Sequence, residues 1–257
     1  MNAPAAVAGG YCVKDSLRIA TREVKEILYD ARCSMWAVLS GIVLSLISSE
    51  LLLTGRELSI LEQSEVLYVV TSLAIGLGLL VAGILAADFE PNERERATLK
   101  SALLLGKVWG VIATWLLIFA ISVPYILVVG FGTGVSWAAL IYTFVLGSLC
   151  VAGFASLLVG ISSLSRSGRS VTFASTAVFI AMAAPLLLST TSQKSWFSLP
   201  YNVLSPVAHT RLSLESVIVG RESVVAQLPH IGALAAFVAI TTVFAAFAIR
   251  GVSSEGW

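Results

Sequence analysis

Residues 136–162 read SWAALIYTFVLGSLCVAGFASLLVGIS and contain no charged side chain. As an α-helix this stretch would be about 40 Å long at 1.5 Å per residue, and the hydrocarbon core of a bilayer is only about 30 Å thick. A helix satisfies its own backbone hydrogen bonds, and the stretch lacks the alternation typical of a barrel strand. It therefore predicts a helix that crosses a membrane.

Five further stretches are also long and apolar enough to cross a bilayer as helices. Together they predict an all-α membrane protein with six transmembrane helices. The predicted spans are 34–53, 66–86, 108–130, 136–162, 171–189 and 229–249.

The composition agrees with this class. Of the 257 residues, 57% are hydrophobic and 12% are charged, whereas about a quarter are charged in a soluble domain. The net charge of +1 gives no field that would attract nucleic acid, so no nucleic-acid partner is expected. Residues 1–11 are small and uncharged and do not resemble a secretory signal.

The basic residues indicate an orientation. If the N-terminus is cytoplasmic, 12 of the 16 lysines and arginines lie in inner segments and four in outer ones. This bias agrees with the positive-inside rule for short loops. We therefore expect a multi-pass protein with both termini in the cytoplasm.

The segment 13–31 precedes the first span and is predicted to be an amphipathic helix. Its apolar residues recur at gaps of four and three, and charged residues occupy most other positions. Such a helix can lie in the membrane interface with its charges in water, or it can pack on another protein. The apolar stripe comprises Val13, Leu17, Ala20, Val24, Ile27, Leu28 and Ala31.

Two longer connections also have predicted structure. The inner segment 87–107 contains Pro91 and Asn92, which suit a helix start, and a short cytoplasmic helix is expected to follow. The outer segment 190–228 mixes apolar, polar and proline residues. Since long structureless loops are unusual, we expect short helices on the outer membrane face between spans five and six.

Catalytic and metal-binding patterns are missing from the sequence. No zinc-protease, phosphate-loop or serine-hydrolase motif occurs. Three dispersed cysteines and two histidines give no typical metal-ligand spacing. We expect no catalytic residue, cofactor or metal on this chain.

The centres of the predicted spans carry no charged residue, whereas ion-coupled carriers usually need a buried acid or a broken helix near the midplane. A transporter of this type would take its energy from an ATP-hydrolysing partner on the cytoplasmic side.

Three motifs resemble the membrane-spanning permease subunit of type-2 ABC exporters. Residues 22–27 read REVKEI, similar to the opening that precedes the family's first span. Residues 93–99 read ERERATL and are followed by Gly106-Lys107, similar to the family's segment after span two. Residues 204–209 read LSPVAH, similar to an outer or re-entrant element before the last span.

The resemblance implies a permease of the bacterial plasma (inner) membrane that works as a dimer with an identical or homologous copy. Two ATP-binding subunits would dock below it and hold the ATP and magnesium. The coupling contacts would come from Glu93, Arg94, Glu95, Arg96, Thr98 and Lys100, and the interfacial helix would contribute Arg22, Glu23 and Glu26.

The chain departs from this family at one point in the coupling segment. Ala97 stands where relatives have glycine, and the stretch 100–105 is shorter than theirs and lacks their proline.

Two other functions stay open. The chain could be a membrane scaffold or assembly factor that anchors soluble partners, or a secondary carrier. The outer segment 190–228 could gate an exit or bind an accessory protein.

Overall fold

The computed structural model describes residues 21–22, 25, 29, 31–54, 60–87, 100–131, 133–165, 168–187 and 199–254. Within these residues the chain is helical apart from short turns, and it contains no strand. The helices are α1 (Ala31–Thr54), α2 (Ile60–Ala87), α3 (Lys100–Gly130), α4 (Ser136–Leu164), α5 (Gly168–Leu187), α6 (Leu199–Leu204), α7 (Pro206–Ile218) and α8 (Leu228–Ser254), with a 3-10 turn at Val224–Gln227.

Four regions of the described chain are long and apolar enough to cross a membrane. They are Glu62–Leu85, Val108–Gly130, Ser136–Leu164 and Val225–Ile249. Two shorter apolar helices, Met35–Glu50 and Arg169–Met182, overlap the first and fifth predicted spans. The prediction of an all-helical, multi-pass architecture is confirmed, and the count of six spans stays a prediction.

The helix α4 lies at the centre of the bundle and contacts α2, α3, α5, α7 and α8. In its span 61% of the residues are buried, against 22% in the span of α8. Because α4 carries no charge, it can be enclosed on several sides by other helices without leaving an ion unpaired.

The indole of Trp115 on α3 fills the space between α2 and α4. The ring packs over Gly78 and Gly147, where a Cβ atom would overlap it. Its Nε1 donates a hydrogen bond to Ser148 Oγ at 3.0 Å, which satisfies the only polar atom of the ring. Small residues thus let a large aromatic side chain join three helices, a common device in membrane bundles.

The last helix, α8, runs parallel to α4. Phe237 packs on Gly153 and Phe244 packs on Gly160, so the two contacts are seven residues apart on both helices. The repeat of seven keeps these contacts on one face of each helix. On the opposite face α8 exposes Ile240, Val243 and Phe247, and such an apolar surface suits lipid.

The turn between α3 and α4, residues 131–135, marks one end of the bundle, which we call the turn end. Thr133 and Ser136 both donate side-chain hydrogen bonds to the carbonyl of Gly130. Gly134 has φ of 75°, a backbone conformation that glycine adopts without strain.

Three predicted segments are only partly described. Residues 13–20 of the predicted interfacial helix lie outside the described residues, and positions 21, 22, 25, 29 and 31 are helical. In the predicted coupling segment, residues 88–99 lie outside the described part, and α3 begins at Lys100. The predicted outer segment contains α6, α7 and the 3-10 turn.

Candidate functional site

Most residues predicted to form the coupling site lie outside the described residues. This applies to Glu93, Arg94, Glu95, Arg96 and Thr98, and to Glu23 and Glu26 of the interfacial helix. Two of the predicted residues have a described backbone. Arg22 is helical and its side chain is exposed, and Lys100 is the first residue of α3.

The described chain gathers its polar contacts around α7 instead. This helix packs between α2, α4, α5 and α8. The composition of the segment favours short helices on the outer membrane face, and the resemblance of residues 204–209 implies an outer or re-entrant element. The cause of the packing is the composition of the inner face of α7, which is apolar or carries only hydroxyl groups. Its buried residues are Pro206, Ala208, Thr210, Ser213, Leu214, Val217 and Ile218.

The first half of α7 reaches the middle of the bundle. Thr210 lies beside the thiol of Cys150, and Cys150 is the midpoint of α4. At 1.5 Å per residue, this midpoint is about 21 Å from the first residue of α4. Arg221, just beyond the other end of α7, donates from Nη2 to the carbonyl of Thr133 at 3.1 Å. The helix therefore runs from mid-bundle to the turn end.

A serine anchors the deep end of α7. Ser205 is the N-cap residue: its Oγ accepts a hydrogen bond from the amide of Ala208 and donates one to the carbonyl of Met182 on α5. Pro206 occupies the first helical position, where its missing N–H costs nothing. The sequence Ser-Pro thus starts a helix inside the bundle, because Pro206 has no N–H and the amides of Ala208 and His209 both bond Ser205.

A small apolar cavity of about 10 Å³ lies beside this deep end. It is just large enough for a single water molecule, and its walls offer no polar group that would hold one. This cavity therefore offers no path to a solute. The cavity is lined by Leu79, Cys150, Phe154, Phe179, Met182, Pro206, Val207 and Phe237.

Two histidines join α7 to α8. His209 lies one turn of α7 beyond Ser205, in the direction of the turn end. The Nδ1 atoms of His209 and His230 are 2.9 Å apart, and His209 Nε2 is 2.9 Å from the carbonyl oxygen of Val203. A carbonyl only accepts, so His209 Nε2 carries a hydrogen. In the neutral ring, His209 Nδ1 then accepts from His230 Nδ1.

An arginine ties the next turn of α7 to α2. Arg211 donates from Nε to the hydroxyl of Tyr68 at 3.1 Å. Its guanidinium also pairs with Glu215 at 3.7 Å, four residues later on the same helix. The Tyr68 contact is the more informative of the two, because it joins residues far apart in the sequence.

The connection between α7 and α8 is shaped by Arg221, which has φ of 52°. The amide of Gly220 bonds the carbonyl of Glu215 and ends α7. Beyond it, Gln227 is fully buried and its Nε2 donates to Glu222 at 3.0 Å. These bonds fix the turn that brings α8 back into the bundle.

Sequence reasoning did not identify this cluster. Two histidines and three methionines are too few to suggest a metal conduit, so the sequence gives no reason to pair His209 with His230. The available signal was the Ser-Pro helix start before His209, together with the position of His230 at the beginning of a span.

The arrangement can do three things chemically. It can close the turn end of the bundle, hold α7 to α2, α5 and α8 through polar contacts, and present two imidazole nitrogens to one another. Comparison with known proteins adds no further assignment: no protein-family model and no curated protein matches the chain.

Proposed function

We propose that this chain is the membrane-spanning permease subunit of an ATP-driven transporter of the type-2 ABC exporter family. In this proposal the chain has six spans and cytoplasmic termini in a bacterial-type inner membrane. It pairs with a second permease, and separate subunits bind and hydrolyse ATP. The turn end faces outward.

The observation that carries the proposal is the separation of charge from the spans. Residues 66–87, 108–130, 136–164 and 228–249 contain no Asp, Glu, Lys or Arg. A transporter without an ionisable group at mid-span has no obvious means of coupling to an ion gradient. The energy then has to come from a partner at the inner face, where the charged segments 13–31 and 87–107 would lie.

The position of α7 gives further support. A transport path between the spans has to be closed on one side while it is open on the other. In the described chain α7 fills the space between four helices, and the cavity beside its deep end admits one water molecule at most. In this proposal α7 is an outer plug, and ATP binding at the opposite face opens it.

The coupling assignment rests on the resemblance of residues 93–99 and is tested by removing two of their charges. We expect the double variant Glu93→Gln, Arg96→Gln to hydrolyse ATP in its complex but to lose most transport. A matched control is Arg56→Gln, Glu57→Gln. It also removes one positive and one negative charge, but from the predicted outer loop, and should leave transport intact. Normal transport by the first variant would remove the coupling role.

One purification distinguishes the permease from the two other proposed functions, a scaffold and a secondary carrier. An ATP-binding subunit should copurify with the chain, and the complex should hydrolyse ATP. A carrier would instead move its solute without ATP and stop when the ion gradient is dissipated. A scaffold would retain its soluble partners and transport nothing.

A further inference from the structure

We propose that His209 and His230 bind a divalent transition-metal ion, of the kind that prefers imidazole ligands, between α7 and α8. The two rings come from helices separated by the turn 219–227, and both are half-buried. This site does not depend on the transport proposal, because it rests on the geometry of the two side chains.

The spacing of the two nitrogens suits a shared ion. The Nδ1 atoms are 2.9 Å apart. With metal–imidazole bonds of about 2.0–2.1 Å, that separation corresponds to a ligand–metal–ligand angle of about 90°. This is the angle between neighbouring ligands in octahedral or tetragonal coordination, which favours Ni²⁺ or Cu²⁺. A tetrahedral ion such as Zn²⁺ would need the nitrogens about 0.4 Å farther apart.

The second nitrogen of His209 has the partner expected of a metal ligand. Its Nε2 donates to the carbonyl oxygen of Val203 at 2.9 Å. Metal-binding histidines almost always donate their other ring N–H to a carbonyl or carboxylate, which fixes the tautomer and the ring orientation. Here the bond leaves a lone pair on Nδ1, directed towards His230. When the ion binds, the ring hydrogen of His230 moves from Nδ1 to Nε2, so that both Nδ1 atoms offer a lone pair.

The surrounding charges also favour a cation. Glu222 is close enough to His230 to act on it electrostatically. The two nearby arginines have other partners: Arg211 contacts Tyr68 and Glu215, and Arg221 contacts the carbonyl of Thr133.

The site has two protein ligands. In the described part of the chain no set of three His, Cys, Asp or Glu side chains converges on one point. The remaining coordination positions are therefore filled by water or by an incoming ligand. Such an ion exchanges with solvent and is held less tightly than a structural zinc with four protein ligands.

Titration of the purified full-length protein with Ni²⁺ tests the site directly. The protein should carry no polyhistidine tag and should first be treated with chelator and dialysed. Isothermal titration should show one saturable site per chain, and Ni²⁺ should raise the melting temperature, because it binds the folded state. His209→Ala and His230→Ala should each weaken Ni²⁺ binding at least tenfold and abolish the thermal shift.

A variant without thiols tests whether the cysteines bind the ion instead of the histidines. Cys12→Ser, Cys33→Ser and Cys150→Ser together should bind Ni²⁺ as tightly as the parent chain. If an alanine variant does not fold, the titration is repeated with His209→Asn and His230→Asn, which keep a polar side chain at the same position. The proposal is overturned if the parent shows no saturable binding, or if binding persists when either histidine is replaced.

Discussion

The indole ring of Trp115 lies directly over the Cα of Gly147, at a distance that leaves no room for a Cβ atom. It meets Gly78 of α2 in the same way. Three helices are thus held together by one side chain, which is 1% exposed. This contact gives the most direct test of the helix packing.

Replacement of Gly78 by alanine should destabilise the protein. The new methyl group would overlap the ring of Trp115, and overpacking of a close-packed interior costs about 1–3 kcal/mol. That corresponds to a loss of roughly 2–10 °C in melting temperature for a chain of this size. Thermal unfolding in detergent measures it.

Gly76 provides a matched control two residues away on the same helix. Nothing lies within 4 Å of a Cβ atom placed there, and alanine favours a helix over glycine. Gly76→Ala should therefore leave the melting temperature unchanged or raise it. Equal destabilisation by the two variants would show that the packing around Trp115 is wrong.

Loss of the Tyr68 hydroxyl should weaken the attachment of α7. Tyr68 OH accepts from the charged Arg211, and hydrogen bonds to charged groups contribute about 1.5–3 kcal/mol. Tyr68→Phe should lower stability towards the lower end of that range, because Tyr68 is only partly buried. It should also expose α7 to protease. Limited proteolysis and thermal unfolding report both effects.

Tyr142 offers the opposite case for comparison. Its hydroxyl is buried and has no hydrogen-bond partner among the described residues. Removing an unsatisfied buried polar atom is neutral or stabilising, so Tyr142→Phe should not lower the melting temperature. A large loss there would mean that this hydroxyl has a partner that the described contacts lack.

A disulfide between α7 and α4 should stop transport if α7 is a moving plug. Thr210 lies beside Cys150, so Thr210→Cys sets a second thiol next to the native one. Oxidation should consume both thiols, as shown by alkylation and mass spectrometry, and should abolish transport until a reductant is added.

The control for this experiment carries Cys150→Ser in addition to Thr210→Cys. It has one thiol of the pair and should be insensitive to the oxidant. Full transport by the oxidised parent variant, with the disulfide demonstrated, would show that α7 does not need to move.

Two tryptophans should report the position of the membrane. Trp137 is 73% exposed beside the turn end, where aromatic side chains commonly lie at headgroup depth, whereas Trp115 is enclosed. A lipid spin-labelled at its headgroup should quench fluorescence less in Trp137→Phe than in the parent chain. Trp115→Phe should leave the quenched component intact. Identical quenching in the parent and Trp137→Phe would place the turn end away from the headgroups.

The sequence alone predicts the long apolar helices because hydrophobicity over a long window is a local property. Residues 136–162 need no partner to be recognised as a span. The position of α7, in contrast, depends on contacts with residues that are distant in the sequence. Its first turn, Pro206 to His209, follows Ser205 in a segment that resembles a surface loop, and only the packed neighbours show that Ser205 is bonded to α5.

The histidine pair illustrates the same limit. His209 and His230 are separated by a turn whose course depends on the backbone conformation of Arg221 and on the bond from Gln227 to Glu222. No spacing rule relates two ligands across such a connection. Likewise, Gly147 is recognisable as a small residue, but its pairing with Trp115 depends on how α3 and α4 align.

The parallel pairing of α8 with α4 has a consequence for biogenesis. Helices α2, α3 and α4 are consecutive and already share the Trp115 contact, so they can associate as soon as they enter the membrane. The groove formed by Gly153 and Gly160 stays open until α8 has been synthesised, because the phenylalanines that fill it are at positions 237 and 244. Translation products that stop before α8 should therefore insert in the bilayer and yet be degraded, since they expose an unfinished helix interface to the membrane's quality-control proteases.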